Sequence, residues 1–261
     1  MKTSRHILVL LWTAVLAMPS SGMAADFEYI GTIDARDSTS QLLAHYVREF
    51  APEELSLTID EQPDDTGYFR DLYMDLKGVK IGGVRVENLT FRMSGVQFNP
   101  PSEWAAGNVE CTNALRIYAR CLLREADVNE RLASQTFGRD EHWKDISITI
   151  TPEAGLQARG AYVAKILFIT LDILIEAEGD LQIVGGRELW LKDYKFRVNT
   201  MSVPDYVARR AIDRIQPLLN LGRFPLPLTL HNVEFQERQA VLSTRILPET
   251  MPGITYRYRS E

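Results

Sequence analysis

The chain has 261 residues, of which 45% are hydrophobic and 25% charged, and its 35 acidic and 29 basic side chains give a net charge of −6. These fractions are ordinary for a globular protein and exclude disordered, collagen-like and coiled-coil chains. The negative charge argues against nucleic acid as a partner, because phosphate binding needs clustered positive charge.

The first 24 residues have the composition of a secretory signal peptide. Lys2 and Arg5 precede an apolar run of 10 residues, 7–16, and the small residues Gly22 and Ala24 mark a cleavage site. Cleavage after Ala24, or one residue later, would remove two basic residues and leave an exported protein of net charge −8 in the periplasm or cell envelope. A membrane anchor is the alternative, although the run is far shorter than the ~20 residues that a bilayer crossing needs.

Two cysteines, Cys111 and Cys121, are the only ones in the chain. Export permits a disulfide between them. If residues 113–123 form one straight strand, ten residues at ~3.3 Å each separate the two thiols by ~33 Å. A turn near Thr112 or a folded-back insertion would allow them to pair, so the residues leave the disulfide open.

The first half of the chain predicts one helix followed by long strands. Residues 38–50 carry apolar side chains at helical spacing, whereas 55–59 and 72–76 alternate apolar and polar side chains as strands do. The alternation changes phase at Gly78, which suggests a bulge. Gly82-Gly83 between apolar pairs is a strong signal for a two-residue hairpin turn.

The middle of the chain predicts a loop, a short helix and a second set of strands. Residues 99–113 contain two prolines and read as an insertion loop, and a strand at 115–123 leads into a helix at 125–137. From 146 to 198 the alternation returns, and the strand at 166–175 is apolar along one whole face.

The C-terminal part predicts a long helix at 204–221, opened by a capping box at 202–205, and then two strands at 228–235 and 240–247. The apolar stripe of this helix consists of Ala208, Ala211, Ile212, Ile215, Leu218 and Leu219. Three helices among nine or ten strands, without alternating βαβ units, predict an α+β fold in a single domain spanning 26–261.

Residues that could carry catalysis are scarce. His45, His142 and His231 lie far apart in sequence and match no metal-ligand spacing. There is no G-x-S-x-G elbow and no phosphate-binding loop. We therefore predict no catalytic residues, no metal and no cofactor, while a paired-carboxylate enzyme is left open because such pairs meet only in the fold.

Three stretches together resemble the LmeA-like phospholipid-binding proteins of the bacterial cell envelope. They are the hairpin at 72–98, the strand-to-helix segment LLREADVNERLAS at 122–134 with its Asp127-x-Asn129, and 201–235, where the helix ends near Pro217 and a Pro-rich link enters a strand. The resemblance covers about 40–247, and the insertion at 99–113 departs from it.

The resemblance implies a fold similar to the tubular lipid-binding (TULIP or BPI-like) superfamily. A long, highly twisted antiparallel sheet would curl around the long C-terminal helix, with two shorter helices beside it and acyl chains held inside. If the more uniformly apolar strand faces point inward, the groove would be lined by Leu72, Met74, Leu76, Leu167, Ile169, Leu171, Ile173, Ile175, Phe196, Ile212 and Ile215.

We therefore expect an exported protein that holds or transfers a phospholipid-like molecule in an apolar groove, without enzymatic activity. Its partners would be a lipid or phospholipid and, transiently, a membrane; no protein partner is indicated. A non-catalytic envelope scaffold or adaptor with a solid core is the alternative, and an envelope hydrolase is a third.

Overall fold

The computed structural model describes residues 26–81, 83–134, 143–166, 169–206, 209, 213 and 216–261. The predicted signal peptide, residues 1–24, lies outside this range, as do most residues of the predicted C-terminal helix. Inside the described part the protein is built mainly from β-strands.

Two α-helices and fourteen strands make up the described fold. The helices are α1 (Ser38–Phe50) and α2 (Glu125–Ser134), and short 3-10 helices span Pro101–Ala106 and Leu221–Arg223. The strands are β1 (Asp26–Ile30), β2 (Glu54–Ile59), β3 (Tyr68–Ile81), β4 (Val84–Phe98), β5 (Cys111–Arg124), β6 (Trp143–Thr151), β7 (Gly155–Ile166), β8 (Ile169–Val184), β9 (Glu188–Val198), β10 (Met201–Ser202), β11 (Leu219–Asn220), β12 (Asn232–Gln236), β13 (Gln239–Ser243) and β14 (Ile254–Arg259).

The strands form two sheets. The first has eight strands in the order β1-β14-β2-β3-β4-β5-β13-β12, all antiparallel except for the parallel pair β1 and β14. The second runs β10-β9-β8-β7-β6, and β11 also pairs with β9. Both sheets are built around long hairpins, β3–β4 in the first and β7–β8 in the second.

Two glycines explain why the alternation of β3 and β4 changes phase. Gly78 (φ +62°) in β3 and Gly95 (φ +59°) in β4 lie in the left-handed region that favours glycine. The pairing of β3 with β4 keeps one register along its whole length, so the bulge predicted at Gly78 is wrong. At these glycines the side chains that face the core change from odd-numbered to even-numbered positions or back. The apolar side chains therefore stay on the core side while the hairpin coils.

The core lies between the inner face of the first sheet and α1, which begins and ends where the sequence predicts. Asp37 caps the helix: its carboxylate accepts from the Ser40 N–H at 2.7 Å, and the Ser40 hydroxyl accepts from the Asp37 N–H at 3.0 Å. The face of α1 that packs on the sheet is almost fully buried and consists of Leu42, Leu43, Tyr46 and Phe50.

The predicted sheet curled around a long C-terminal helix is wrong. The inner face of the first sheet is covered by α1 and by the Pro-rich segment 224–230, whose Leu226, Leu228 and Leu230 are buried. At the end of the predicted helix, Leu219 belongs to strand β11 and pairs with Leu189 of β9. The described residues therefore form a mostly β fold of two sheets. At residue 219 the chain already belongs to a strand and not to a helix.

The insertion after β4 packs against one end of the first sheet and closes it with the side chain of Trp104. Trp104 is 1% exposed, stacks on Phe69 with ring centroids 6.3 Å apart and meets Phe98 edge to face at 5.9 Å. Its indole N–H donates to the Asn99 carbonyl oxygen at 2.9 Å. This end of the sheet is closed by tight aromatic packing.

Cys111 and Cys121 are free thiols, so the disulfide left open by the sequence is not formed. They lie ten residues apart on the single strand β5, opposite Phe98 and Leu89 of β4 respectively. A strand holds such residues ~33 Å apart, whereas a disulfide requires Cα atoms within about 7 Å.

Helix α2 joins the two sheets through side chains that bind the backbone of the edge strand β6. The Asn129 amide donates to the Ile148 carbonyl oxygen at 2.9 Å, and its oxygen accepts from the Ile148 N–H at 2.7 Å. The Glu125 carboxylate accepts from the Ile150 N–H at 2.8 Å. These bonds satisfy the outer edge of β6, which would otherwise be open to pairing with another strand.

Candidate functional site

An apolar cavity of about 230 Å³ lies between the first sheet, the first turn of α2 and the start of the second sheet. All seventeen side chains that line it are hydrophobic. They are Ile81, Val84, Val86, Leu89, Phe91, Ala119, Cys121, Leu123, Val128, Leu189, Leu218, Leu219, Leu221, Phe224, Leu228, Leu230 and Leu242.

The floor of the cavity is the inner face of the first sheet at the turn end of the β3–β4 hairpin. Ile81 pairs with Val84 at the turn of the hairpin, and Gly83 adopts φ +83° as a tight turn requires. Farther from the turn, Leu89 and Phe91 of β4 point the same way because strand residues two apart share a face.

The roof is the segment 218–230, which contains the short strand β11 and the 3-10 helix Leu221–Arg223 and bends at Pro225 and Leu226. Phe224, Leu228 and Leu230 of this segment line the cavity. The Leu230 N–H donates to the Gly186 carbonyl oxygen at 2.8 Å, which ties the roof to the turn between β8 and β9. The exit side is marked by Leu218, which lines the cavity and is 40% exposed.

Phe224 separates the cavity from the packed core. Its ring lies 5.9 Å from Phe50 of α1 and 6.0 Å from Phe91 of β4, measured between centroids. On one side of this ring, α1 fills the space above the sheet. On the other side, Val128 is the only α-helical side chain among the described residues that lines the cavity, and the space stays open.

Charged groups near the hairpin turn form a closed network outside the cavity. The Arg85 guanidinium donates to both carboxylate oxygens of Glu53 at 2.8 Å and to Glu87 at 2.7 Å, and Asp127 of α2 lies 3.4 Å away. These hydrogen bonds lower the pKa of Glu53, although burial opposes the shift. The network fixes α2 against the hairpin and has no part in the cavity wall.

Cys121 contributes the only thiol of the cavity wall. Burial raises its pKa to about 12, so the group is a neutral, unreactive SH at neutral pH. It therefore behaves as a small hydrophobic side chain.

The residues predicted for the groove are divided among three places. Leu72, Met74 and Leu76 are fully buried in the packed core, where Met74 and Leu76 pair across the sheet with Phe91 and Leu89 of the cavity wall. Ile212 and Ile215 lie outside the described residues.

The remaining predicted residues belong to the second sheet. Ile173 and Ile175 of β8 are half-buried and share a face with Phe196 of β9, whose neighbour across the strands is Ala177. Leu167 is outside the described residues, and for Ile169 and Leu171 the structure describes the backbone only. The structure brings Ile173, Ile175 and Phe196 together, away from the first three.

The apolar face that holds these residues continues to the cavity. Along β8 the same face presents Leu181 and Ile183, which pack against the core beside the cavity residue Leu189. The opposite face is polar, with Arg159, Glu176 and Arg197 side by side on neighbouring strands.

Sequence analysis missed the cavity wall because its residues are individually ordinary. Leu89 and Phe91 alternate with polar residues in their strand as Leu72 and Met74 do, and Leu242 ends a short apolar run. Two local signals were present, the Gly82-Gly83 turn and the Pro-rich link, and the cavity lies between them. Neither signal shows that they meet in space.

Two further properties follow from the described ranges. No group of three or more His, Cys, Asp or Glu side chains in them is arranged to hold a metal ion. None of the helices in the same ranges has the length and hydrophobicity that a bilayer crossing requires.

Among known proteins, the chain is similar to one family, as a family model shows. Searches of curated proteins and of solved structures returned no match. The family model described as LmeA-like phospholipid-binding matches residues 35–245, which include both sheets except β1 and β14 and the whole cavity wall. That family is defined by binding phospholipid and is not an enzyme family. With this match over most of its length, the chain belongs to the LmeA-like phospholipid-binding family.

Proposed function

We propose that this protein is an exported carrier that holds an acyl chain of a phospholipid in the cavity and moves the lipid within the cell envelope. The observation that supports the proposal most directly is the wall of seventeen hydrophobic side chains around an open space. A scaffold working only through its surface would gain nothing from leaving this space unfilled, because close packing stabilises a core.

The size of the cavity suits part of an acyl chain. A cavity of ~150 Å³ lined by aliphatic and aromatic side chains stays dry and binds benzene, and the space here is about 230 Å³. Each methylene moved from water into such a site contributes ~0.8 kcal/mol. Four or five methylenes would therefore give several kcal/mol without a single polar contact.

The half-buried face of the second sheet extends the proposed site. Ile173, Ile175 and Phe196 would contact the part of the lipid that the cavity cannot hold, since their face leads to Leu189 in the cavity wall. Leu72, Met74 and Leu76 would support the floor from within the core. Binding needs no catalytic group, and we assign none.

Native mass spectrometry of the mature protein tests the proposal. After expression with residues 1–24 attached, the purified protein should have lost them and should carry phospholipid that dissociates on organic extraction. The variant Val128→Trp should carry at most about a tenth as much, because its ring fills the cavity from α2.

Ala126→Trp is the matched control, because Ala126 is exposed on the same helix. It should bind lipid as the unaltered protein does. Retention of the full lipid load by Val128→Trp, or repeated purification of lipid-free protein, would contradict a lipid site in this cavity. An intact N-terminus would contradict export by a cleaved signal.

A further inference from the structure

Strand β5 carries positive charge without any negative charge in its own sequence. Its 14 residues contain neither Asp nor Glu but three arginines, Arg116, Arg120 and Arg124. The segment 239–247, which begins with the neighbouring strand β13, adds Arg245 and also has no acidic residue. Because the whole chain has a net charge of −6, these four arginines form a local concentration of the opposite sign.

The arginines of β5 lie on the face of the sheet that points away from the cavity. Three odd-numbered residues of the strand, 119, 121 and 123, line the cavity, and successive side chains of a strand point to opposite faces. The pairings with β4 and β13 keep their register over 116–124, so the alternation is not interrupted there. The three arginines are all even-numbered and therefore follow one another on the outer face, ~13 Å apart at ~3.3 Å per residue.

Three of the four arginines have no acidic partner in the described part of the chain. Arg116, Arg120 and Arg245 take part in none of its ion pairs, whereas Arg124 lies 2.8 Å from a carboxylate oxygen of Glu87. Arg116 and Arg245 are exposed, and Arg120 is half-buried. The positive charge of these side chains is therefore available to a partner.

Two carboxylates of β3 lie on the same outer face, but side chains of β4 bind them. Asp71 accepts from the Arg92 guanidinium at 2.8 Å. Asp75 accepts from the Asn88 amide at 2.7 Å and from the Thr90 hydroxyl at 3.1 Å. These contacts hold both carboxylates at β4, and neither forms an ion pair with an arginine of β5.

Exposed apolar side chains lie beside the arginines. Leu115 of β5 is 77% exposed, and Ile246 and Leu247, which follow β13, are 55% and 53% exposed. The Thr244 N–H donates to the Ala119 carbonyl oxygen at 3.0 Å, and its hydroxyl donates to the Ile246 carbonyl oxygen at 2.6 Å. These bonds hold the apolar pair against the edge of β5.

We propose that this surface docks on an anionic lipid bilayer. The surface, here called the β5 surface, consists of Leu115, Arg116, Arg120, Arg245, Ile246 and Leu247. Guanidinium groups match the geometry of phosphate oxygens, and exposed apolar side chains enter the boundary between headgroups and acyl chains. A soluble polyanion would bind the arginines but leave the three apolar side chains in water, so the bilayer fits the β5 surface better.

The charge of the rest of the molecule would make this docking specific in orientation. An anionic membrane repels an acidic protein except where basic side chains are concentrated. The inner face of β5 lines the cavity, so a protein docked through the outer face has the cavity one sheet away from the membrane. The inference goes beyond the proposed function, because docking of this kind needs no lipid in the cavity.

Co-sedimentation with phosphatidylcholine vesicles containing about 30% phosphatidylglycerol tests the β5 surface. The unaltered protein should bind these vesicles at about 50 mM NaCl and much more weakly at about 500 mM, because salt screens the charge attraction. It should bind pure phosphatidylcholine at least ~ten-fold more weakly. The variant Arg116→Gln/Arg120→Gln/Arg245→Gln should lose about ten-fold or more in affinity, and Leu115→Ser/Ile246→Ser/Leu247→Ser about five-fold.

Two matched controls carry the same changes elsewhere on the surface. Arg36→Gln/Arg159→Gln/Arg187→Gln removes three exposed arginines outside β5, and Ile30→Ser/Met201→Ser/Tyr206→Ser removes three apolar side chains that are 70%, 72% and 76% exposed. Both controls should bind anionic vesicles as the unaltered protein does. Equal losses in the controls would overturn docking through the β5 surface. Binding to heparin-agarose without binding to anionic vesicles would overturn it in favour of a soluble polyanion.

Lipid content measured on the same samples separates this inference from the proposed function. The triple arginine variant, incubated with detergent-dispersed phospholipid, should hold lipid normally while failing to bind vesicles. A lipid-free protein that still docks through the β5 surface would refute the cavity alone. A lipid-loaded protein that ignores anionic vesicles would refute the docking surface alone.

Discussion

At the scale of single residues, Arg85 has the most connected side chain of the described fold. It gathers carboxylates from three segments: Glu53 before β2, Glu87 of β4 and Asp127 of α2. Its side chain is 28% exposed and that of Glu53 56%, so solvent weakens the pair without abolishing it. The same carboxylate of Glu53 lies against Gly78, where any side chain would displace it.

Replacing Arg85 should make stability depend less on pH. Glu53 has a lowered pKa in the folded protein, so its ion pair stabilises the fold above the ordinary glutamate value of about 4.3 and is lost as the pH falls through the folded value. Arg85→Gln should cost about 1 kcal/mol at pH 7. The difference should shrink below about pH 4 in urea unfolding curves.

Arg36→Gln is the control for that series. Arg36 is 85% exposed and pairs only with the exposed Asp34 among the described contacts. Its replacement should leave the unfolding midpoint unchanged at every pH. A cost of Arg85→Gln that stayed constant down to pH 3 would show that Glu53 does not titrate through this pair.

At the scale of elements, the β3–β4 hairpin owes its shape to glycines as much as to its apolar residues. Left-handed Gly78 and Gly95 let the strands change face while the register stays constant. The coiling keeps Phe69, Leu76 and Val79 on the core side although they differ in parity. A hairpin of uniform parity would expose apolar residues at one end.

Gly78→Ala should therefore destabilise the fold more than Gly185→Ala does. Both glycines have positive φ, near +60°, which costs an alanine about 1 kcal/mol. A methyl group at Gly185 meets nothing within 4 Å, whereas at Gly78 it overlaps the Glu53 carboxylate. We expect an additional cost of about 1 kcal/mol at Gly78, from breaking the Glu53–Arg85 pair.

The double variant Gly78→Ala/Arg85→Gln checks the cause. Because the ion pair is already lost in Arg85→Gln, the additional cost at Gly78 should fall to near zero in that background. Equal costs in both backgrounds would locate the strain elsewhere. The measurement is again the free energy of unfolding in urea.

These elements show how far sequence reasoning reached. Helix α1 was predicted at its true bounds and α2 from its true start, because their signals are local. The predicted end of α2, residues 135–137, lies outside the described residues. The predicted hairpin is confirmed by the pairing of Ile81 with Val84. The predicted helix at 204–221 contained Leu219, which instead pairs with Leu189 thirty residues earlier. Strand pairing of that kind depends on distant partners, which helical periodicity cannot reveal.

The cavity was harder to predict from the sequence than the strands that form its wall. Leu76 and Leu89 face each other across two strands with equal hydrophobicity, but only Leu89 lines the cavity. What decides between them is where α1 and Phe224 stop covering the sheet. That boundary is set by tertiary packing and leaves no mark on the alternation of either strand.

At the scale of the whole molecule, two sheets of different character are joined by α2 and by the Pro-rich segment. The first sheet contains most of the fully buried residues, whereas most described side chains of the second are half-buried or exposed, apart from Ile150, Val163 and Leu189. Asn129 and Glu125 hold the joint on one side, and the backbone bond from Leu230 to Gly186 holds it on the other. The cavity lies between these two connections.

Lipid in this position should stabilise the whole protein. A ligand that binds only the folded state at a hundred times its dissociation constant adds ~2.7 kcal/mol, which corresponds to a rise in Tm of about 5–10 °C for a chain of this size. Organic extraction should lower the Tm accordingly in differential scanning calorimetry. Extraction should leave the Tm of Val128→Trp unchanged, and a shift of equal size in that variant would contradict binding in the cavity.

The end of the first sheet that Trp104 closes bears on how such a protein can diversify. Strand β4 ends under this tryptophan at Phe98 and begins at Val84 beside the cavity, so one strand serves both a sealed end and an open one. Substitutions near Val84 can change the shape of the cavity, and with it the ligand that would fit, while the sealed end preserves folding. Descendants of one ancestor could thus acquire different lipid preferences without first evolving a compensating stabiliser.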